Sequence, residues 1–187
     1  PLKRLVNTLV IAFGQTKLFK DAGAGVMHAL IFWGFLVLLV RAGQFFVIGF
    51  FPGIDIRLPA FETVYRLYSL LKDGFVLLVT CAALYGLYRR LVVKPARLQD
   101  SFEGILILGL ILVIMLTDIL FEGTFVATHP AETNAVPLGA LMAQLVLQHL
   151  NPSLIAGLHS LAYWGHVSAI LFFLSLLPRS KHFHIIT

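Results

Sequence analysis

Twenty-five consecutive residues, Ser153 to Leu177, carry no Asp, Glu, Lys or Arg and run between Pro152 and Pro178. As a helix, a stretch of that length covers a bilayer core of roughly 30 Å. Inside lipid a single segment must satisfy its own backbone N–H and C=O groups, so it crosses as a helix. The whole chain agrees: it is 59% hydrophobic and 12% charged, where soluble domains are about a quarter charged. The expected fold class is all-α, a transmembrane helix bundle.

Four crossings can be read, near residues 22–48, 65–90, 102–122 and 153–178. The Pro52-Gly53 pair and Pro59 mark the first connection. Pro95 breaks the second, His129-Pro130 opens the third, and Pro178 ends the last crossing. Residues 1–20 are expected to lie on the membrane surface, because Leu2, Leu5, Val6, Leu9, Val10 and Phe13 recur at helical spacing beside Lys3 and Arg4. A weaker stripe, Leu138, Leu141, Met142 and Leu145, lies in the third connection, and His149 would extend it by a turn. The 187 residues read as one membrane domain.

The net charge is +5 and the pI about 9.6. In a soluble protein that balance would suggest nucleic acid; here the basic residues sit at segment ends and report orientation. Ten fall on one side (Lys3, Arg4, Lys17, Lys20, Arg89, Arg90, Lys94, Arg97, Arg179, Lys181) and four on the other (Arg41, Arg57, Arg66, Lys72). Both ends of the segment are therefore expected on the cytoplasmic side. One cysteine, Cys81, leaves no disulfide framework and no cysteine-held iron–sulfur cluster within the segment.

The last crossing holds His159 and His166, with His182 and His184 just beyond it. Polar groups inside lipid are expensive and usually functional, and imidazole is a common axial ligand of haem iron. His159 and His166 are seven residues apart, two turns less about 20°; His184 lies eighteen residues beyond His166, five whole turns. If the helix continues through Pro178, all three share one face. A six-coordinate haem needs a second imidazole from another helix. His28 in the first crossing is the one candidate, since the second and third crossings contain no histidine. Gly23, Gly25 and Gly34 around it would let a macrocycle approach the backbone, or would serve plain helix packing. The pattern points to a membrane cytochrome. The competing class is a haem-free component: a membrane anchor, or part of a proton or solute pathway.

Several stretches also resemble a known family. Val26-Met27-His28-Ala29-Leu30, Arg89-Arg90-Leu91, and the block from Gly165-His166 through Leu177-Pro178-Arg179-Ser180 to His184-Ile185 are similar to the gamma subunit of respiratory nitrate reductase, a di-haem cytochrome b. A closer resemblance, in His28-Ala29-Leu30-Ile31-Phe32-Trp33-Gly34-Phe35 and Ser180-Lys181-His182-Phe183-His184, is to the membrane domain that precedes heterodisulfide-reductase-like iron–sulfur modules in bacterial quinone-linked oxidoreductases. The resemblance implies one further crossing upstream, a prokaryotic inner membrane, an iron–sulfur partner on the cytoplasmic side and a quinone as substrate. It implies haem b, one or two per chain, with His28 and His184 as axial ligands near the cytoplasm and His166 as ligand of an outer haem. The outer partner in the nitrate reductase branch is a histidine late in the first crossing, and Leu36 to Phe46 here contains none. Gln44 is about 160° round the helix from His28. His159 is the nearest spare imidazole, but it shares a helix with His166. A pairing of His28 with His166 stays open at this point. The resemblance places the quinone near Arg66 and Lys72. Asp118 and Glu122, four residues apart on one helical face, would carry its protons, or form a helix-end pair that faces water or pairs with Arg66 or Lys72.

Overall fold

The computed structural model describes residues 21–51, 62–94, 102–130 and 136–176. The surface-helix segment, Arg57, Arg97, Arg179, His182 and His184 lie outside the described residues. Among the described residues five α-helices occur: α1 (Ala22–Phe50), α2 (Glu62–Tyr88), α3 (Phe102–Thr128), α4 (Pro137–Leu145) and α5 (Pro152–Leu176). A π-helical turn, Arg89–Val93, prolongs α2. Among the described residues there is no strand. α1, α2 with its π turn, α3 and α5 are each long and apolar enough to cross a membrane.

Each end has a local cause. The Asp21 carboxylate caps α1, accepting from Ala24 N–H at 3.2 Å. It also pairs with Arg89 at 2.7 Å, which ties the start of α1 to the end of α2. That guanidinium, together with the Ala24 N–H, holds the Asp21 carboxyl below the usual carboxylate range. The π turn closes where Lys94 takes a left-handed conformation at φ 45° and its N–H reaches Arg89 O. Asn151 caps α5 by accepting from Leu154 N–H at 2.8 Å, and Pro152 opens that helix, where a missing N–H costs nothing.

The crossings alternate in direction, and α3 is the hub that touches α2, α4 and α5. Val76, Val79 and Ala83 of α2 pack against Leu108, Ile111 and Met115 of α3. Phe45 of α1 packs with Phe121, Ala162 and Val167. Lipid tails supply no hydrophobic drive between helices, so close packing of small residues has to hold them. Gly34 is such a point: a Cβ there would collide with Val79 Cγ2, and Val79 is buried. We predict that Gly34→Ala destabilises the bundle by about 1–3 kcal/mol through overpacking. Gly74→Ala, with nothing within 4 Å of its added Cβ, leaves thermal unfolding in detergent unchanged. Equal melting of the two variants would contradict the packing argument.

The stripe read in the third connection does form a helix, α4, but it turns a different face inward. Gly139, Ala140 and Ala143 are buried, while Leu141 and Leu145 are exposed. The reason is proximity: a Cβ on Gly139 would come within 2.8 Å of Glu122 Cβ. α4 therefore lies tightly across α3, where larger side chains do not fit. His149 is exposed in the following 3₁₀ turn.

Candidate functional site

Two threonines of α3 meet two histidines of α5. Thr117 Oγ1 lies 3.0 Å from His166 Nδ1, and Thr124 Oγ1 lies 2.9 Å from His159 Nδ1. Both pairs are seven residues apart on their own helices, so antiparallel packing brings them into register. Each hydroxyl donates back to carbonyls of its own helix, Thr117 to Val113 and Ile114 and Thr124 to Leu120 and Phe121. Each is therefore left to accept from the imidazole. His166 Nδ1 is also 3.1 Å from Ile114 O, which can only accept. Nδ1 thus carries the proton, and in the neutral ring Nε2 carries the lone pair. A metal-binding imidazole is oriented in this way by its outer partners. Phe45 stacks on the His166 ring at 4.1 Å, and Phe121 stacks on His159 at 4.3 Å.

His166 is buried and lines an apolar cavity of about 280 Å³ between α1, α3 and α5. Ile31, Leu38, Phe46, Ile114, Ile170 and Phe173 contribute apolar wall, and Arg41 and Asp118 line it with polar groups. Along α1 the lining runs from Ile31 to Phe46, fifteen residues or about 22 Å of helix. His159 does not line it.

Beside the polar end sits a cluster of five buried charges. Arg41 Nε meets Asp118 Oδ1 at 2.8 Å, and its NH2 nitrogen meets Glu122 Oε1 at 3.0 Å. Lys72 Nζ lies 2.8 Å from Asp73 Oδ1, 3.1 Å from Asp118 Oδ2 and 2.6 Å from Glu122 Oε2. Asp73 Oδ2 accepts from Leu138 N–H at 2.8 Å, at the start of α4. Arg41 also reaches Gln44 Oε1 at 3.2 Å. Lys72 lies ten residues, roughly 15 Å, inside the start of α2, and Asp118 and Glu122 lie ten and six residues, roughly 15 and 9 Å, inside the end of α3. α3 runs six residues past Glu122, so Asp118 and Glu122 do not face water at a helix end.

The residues expected from the sequence distribute as follows. His166, Asp118 and Lys72 come together around the cavity and the charge cluster. Arg66 does not join them: it is exposed and lies 3.6 Å from Glu62 on its own helix. His184 lies outside the described residues. His28 is half-buried on α1. It sits seven residues before Phe35 and so on the cavity face, about one turn beyond Ile31. His166 meets Thr117, next to Asp118, and Asp118 meets Arg41. Thirteen residues, about 20 Å of helix, separate Arg41 from His28. Imidazoles on opposite faces of one iron must lie level with each other. The geometry therefore argues against a shared iron for His28 and His166.

For a haem, His166 would offer one anchored imidazole beside an apolar cavity. A second imidazole at that level is not among the described residues. Sequence reasoning missed Thr117 and Thr124; their spacing of seven, equal to that of His159 and His166, was the available signal. It also placed Arg41 and Lys72 among the orientation charges, whereas both are buried in ion pairs. We predict that Thr117→Val weakens retention of any His166-bound haem by roughly tenfold. Thr124→Val, whose partner lies off the cavity, leaves retention unchanged. Haem loss in detergent measures both, and indistinguishable losses would sink the anchoring argument.

No protein-family profile matches the chain, and no solved structure matches it. The chain is 31% identical over 185 residues to a probable iron–sulfur-binding oxidoreductase, FadF, of Bacillus subtilis, covering 98% of this chain and 26% of that protein. It is 31% identical over 203 residues to an EtfAB:quinone oxidoreductase of Syntrophomonas wolfei, covering 98% and 26%. It is 24% identical over 184 residues to one component of the dihydromethanophenazine:CoB–CoM heterodisulfide reductase of Methanosarcina barkeri, covering 95% and 61%. The chain spans about a quarter of the length of the first two. Over nearly its whole length it is thus similar to part of proteins named for iron–sulfur, quinone-linked and heterodisulfide redox chemistry.

Proposed function

We propose that this chain is a membrane cytochrome b module, passing electrons between a quinone or quinol and an iron–sulfur partner on the cytoplasmic side. The observation that carries the reading is His166: a buried imidazole with Nδ1 held by Thr117 and the Ile114 carbonyl, lining an apolar slot inside a helix bundle. The names of the relatives support the electron-transfer setting, two through iron–sulfur or quinone chemistry. Haem b, when bound, would supply one-electron redox chemistry. The chain would supply axial ligands, a dry pocket and the local field. His166 would serve an outer haem, and His28 with His184 an inner one. The quinone head group would bind beside that haem rather than in its slot, within reach of the charge cluster through Asp118 and Lys72. Arg66 has no part in that site.

A reduced-minus-oxidised spectrum of the purified protein tests the reading. An alpha band of b-type haem with a Soret band is the expected result. A haem-free anchor or proton pathway would show neither, and that outcome would overturn the proposal.

A further inference from the structure

The five-charge cluster does not balance. Arg41 and Lys72 carry two positive charges; Asp73, Asp118 and Glu122 carry three negative ones when ionised. All five are buried. An uncompensated charge in a low-dielectric interior is costly, and a titratable group there takes a proton instead. The geometry shows where one would sit. Asp73 Oδ1 and Glu122 Oε2 are buried oxygens with no hydrogen-bond donor. Both lie within ion-pair distance of Lys72 Nζ, but at angles that form no hydrogen bond.

The cluster also spans two environments. Asp118 and Arg41 line the cavity. Lys72 links Asp118 to Glu122 and Asp73, and Asp73 contacts the start of α4 on the far side. The groups facing the cluster are few. Tyr65 and Tyr68 of α2 and His166 of α5 lie within electrostatic range, and α4 contributes no titratable side chain.

We propose that the cluster holds one exchangeable proton, shared between Glu122 and Asp73, and transfers it between a quinol bound beside the cavity and the surface beneath α4. The proton belongs to the coupled group rather than to a single residue. The transfer rests on the quinone reading above; the bound proton does not. In the direction of quinol oxidation, each quinol loses two electrons and two protons. The electrons leave toward the iron–sulfur acceptor. The cluster releases its resident proton to water and then takes one from a quinol O–H as that bond breaks, and repeats both steps for the second O–H.

Infrared spectroscopy of the purified protein tests the proton directly, without haem or quinone. A protonated-carboxyl band is expected at neutral pH, shifted by deuterium exchange and lost in Glu122→Gln or Asp73→Asn. A missing band, or one that both variants keep, overturns the proposal. So does stability that depends on sodium ion rather than on pH. The second measurement is reduction of the protein by a short-chain quinol. Glu122→Gln is expected to slow it by roughly 100-fold at unchanged haem content, with partial rescue by Glu122→Asp. An undiminished rate in Glu122→Gln overturns the transfer. Where Glu122→Gln does not fold, Asp73→Asn carries both measurements. A wild-type protein that quinol fails to reduce sinks the quinone reading and the transfer with it, while the band decides the bound proton.

Discussion

Replacing His166 by alanine is expected to remove one haem per chain and leave another in place, and His28→Ala is expected to do the reverse. The ground is vertical separation. His166 is level with Thr117 and Arg41 through direct contacts, and His28 lies about 20 Å of helix away. Two side chains so separated cannot take opposite faces of one iron. Their haems would differ in setting as well: the outer one lies beside the charge cluster, the inner one toward the Asp21–Arg89 end. Iron per chain and the reduced-minus-oxidised spectrum of each variant provide the measurement. If both variants lose the whole haem content together, the histidines share one site and the level argument fails. If neither loses any, the ligand assignment fails.

Lys72→Met is expected to destabilise the protein by about 3–5 kcal/mol, the range for breaking a buried ion pair on one side. Lys72 Nζ touches three carboxylates. Without it, three negative charges would face Arg41 alone. Counted with every carboxylate ionised, adding Glu122→Gln to that variant returns the formal charge to −1, the parent's value on the same count, and is expected to recover much of the loss. Glu122→Gln alone brings the cluster to neutrality and should be close to neutral for stability. Groups in one network couple strongly, so the double variant is the informative one. Thermal unfolding in detergent measures the set. A Lys72→Met protein that melts like the parent, or a double variant no better than the single, would show that charge balance does not hold this cluster together.

The membrane bundle was legible from the uncharged spans, because burial in lipid forces backbone hydrogen bonds to close within each helix. The resemblance to a membrane component of iron–sulfur oxidoreductases was legible too, and the similarity to FadF and its counterparts follows that coarser line. The charge cluster was less legible. Asp118 and Glu122 stood out as a pair on one helix face, but Arg41, Lys72 and Asp73 sit near the ends of apolar runs, where a sequence makes them look exposed. α4 was read as a surface stripe of leucines; contact with Glu122 and Gly123 made the glycine and alanines its inner face.

Sequence alone marked the four helices that, among the described residues, are long and apolar enough to cross a membrane, since composition and length suffice when lipid is the solvent. Periodicity on a single helix also settled that His159 and His166 share a face. Tertiary packing decided which imidazole meets the cavity, how far His28 stands from it, and that five charges on three helices form one cluster. Those are relations between helices, set by how far each slides along its neighbour, and no spacing within one helix records that offset.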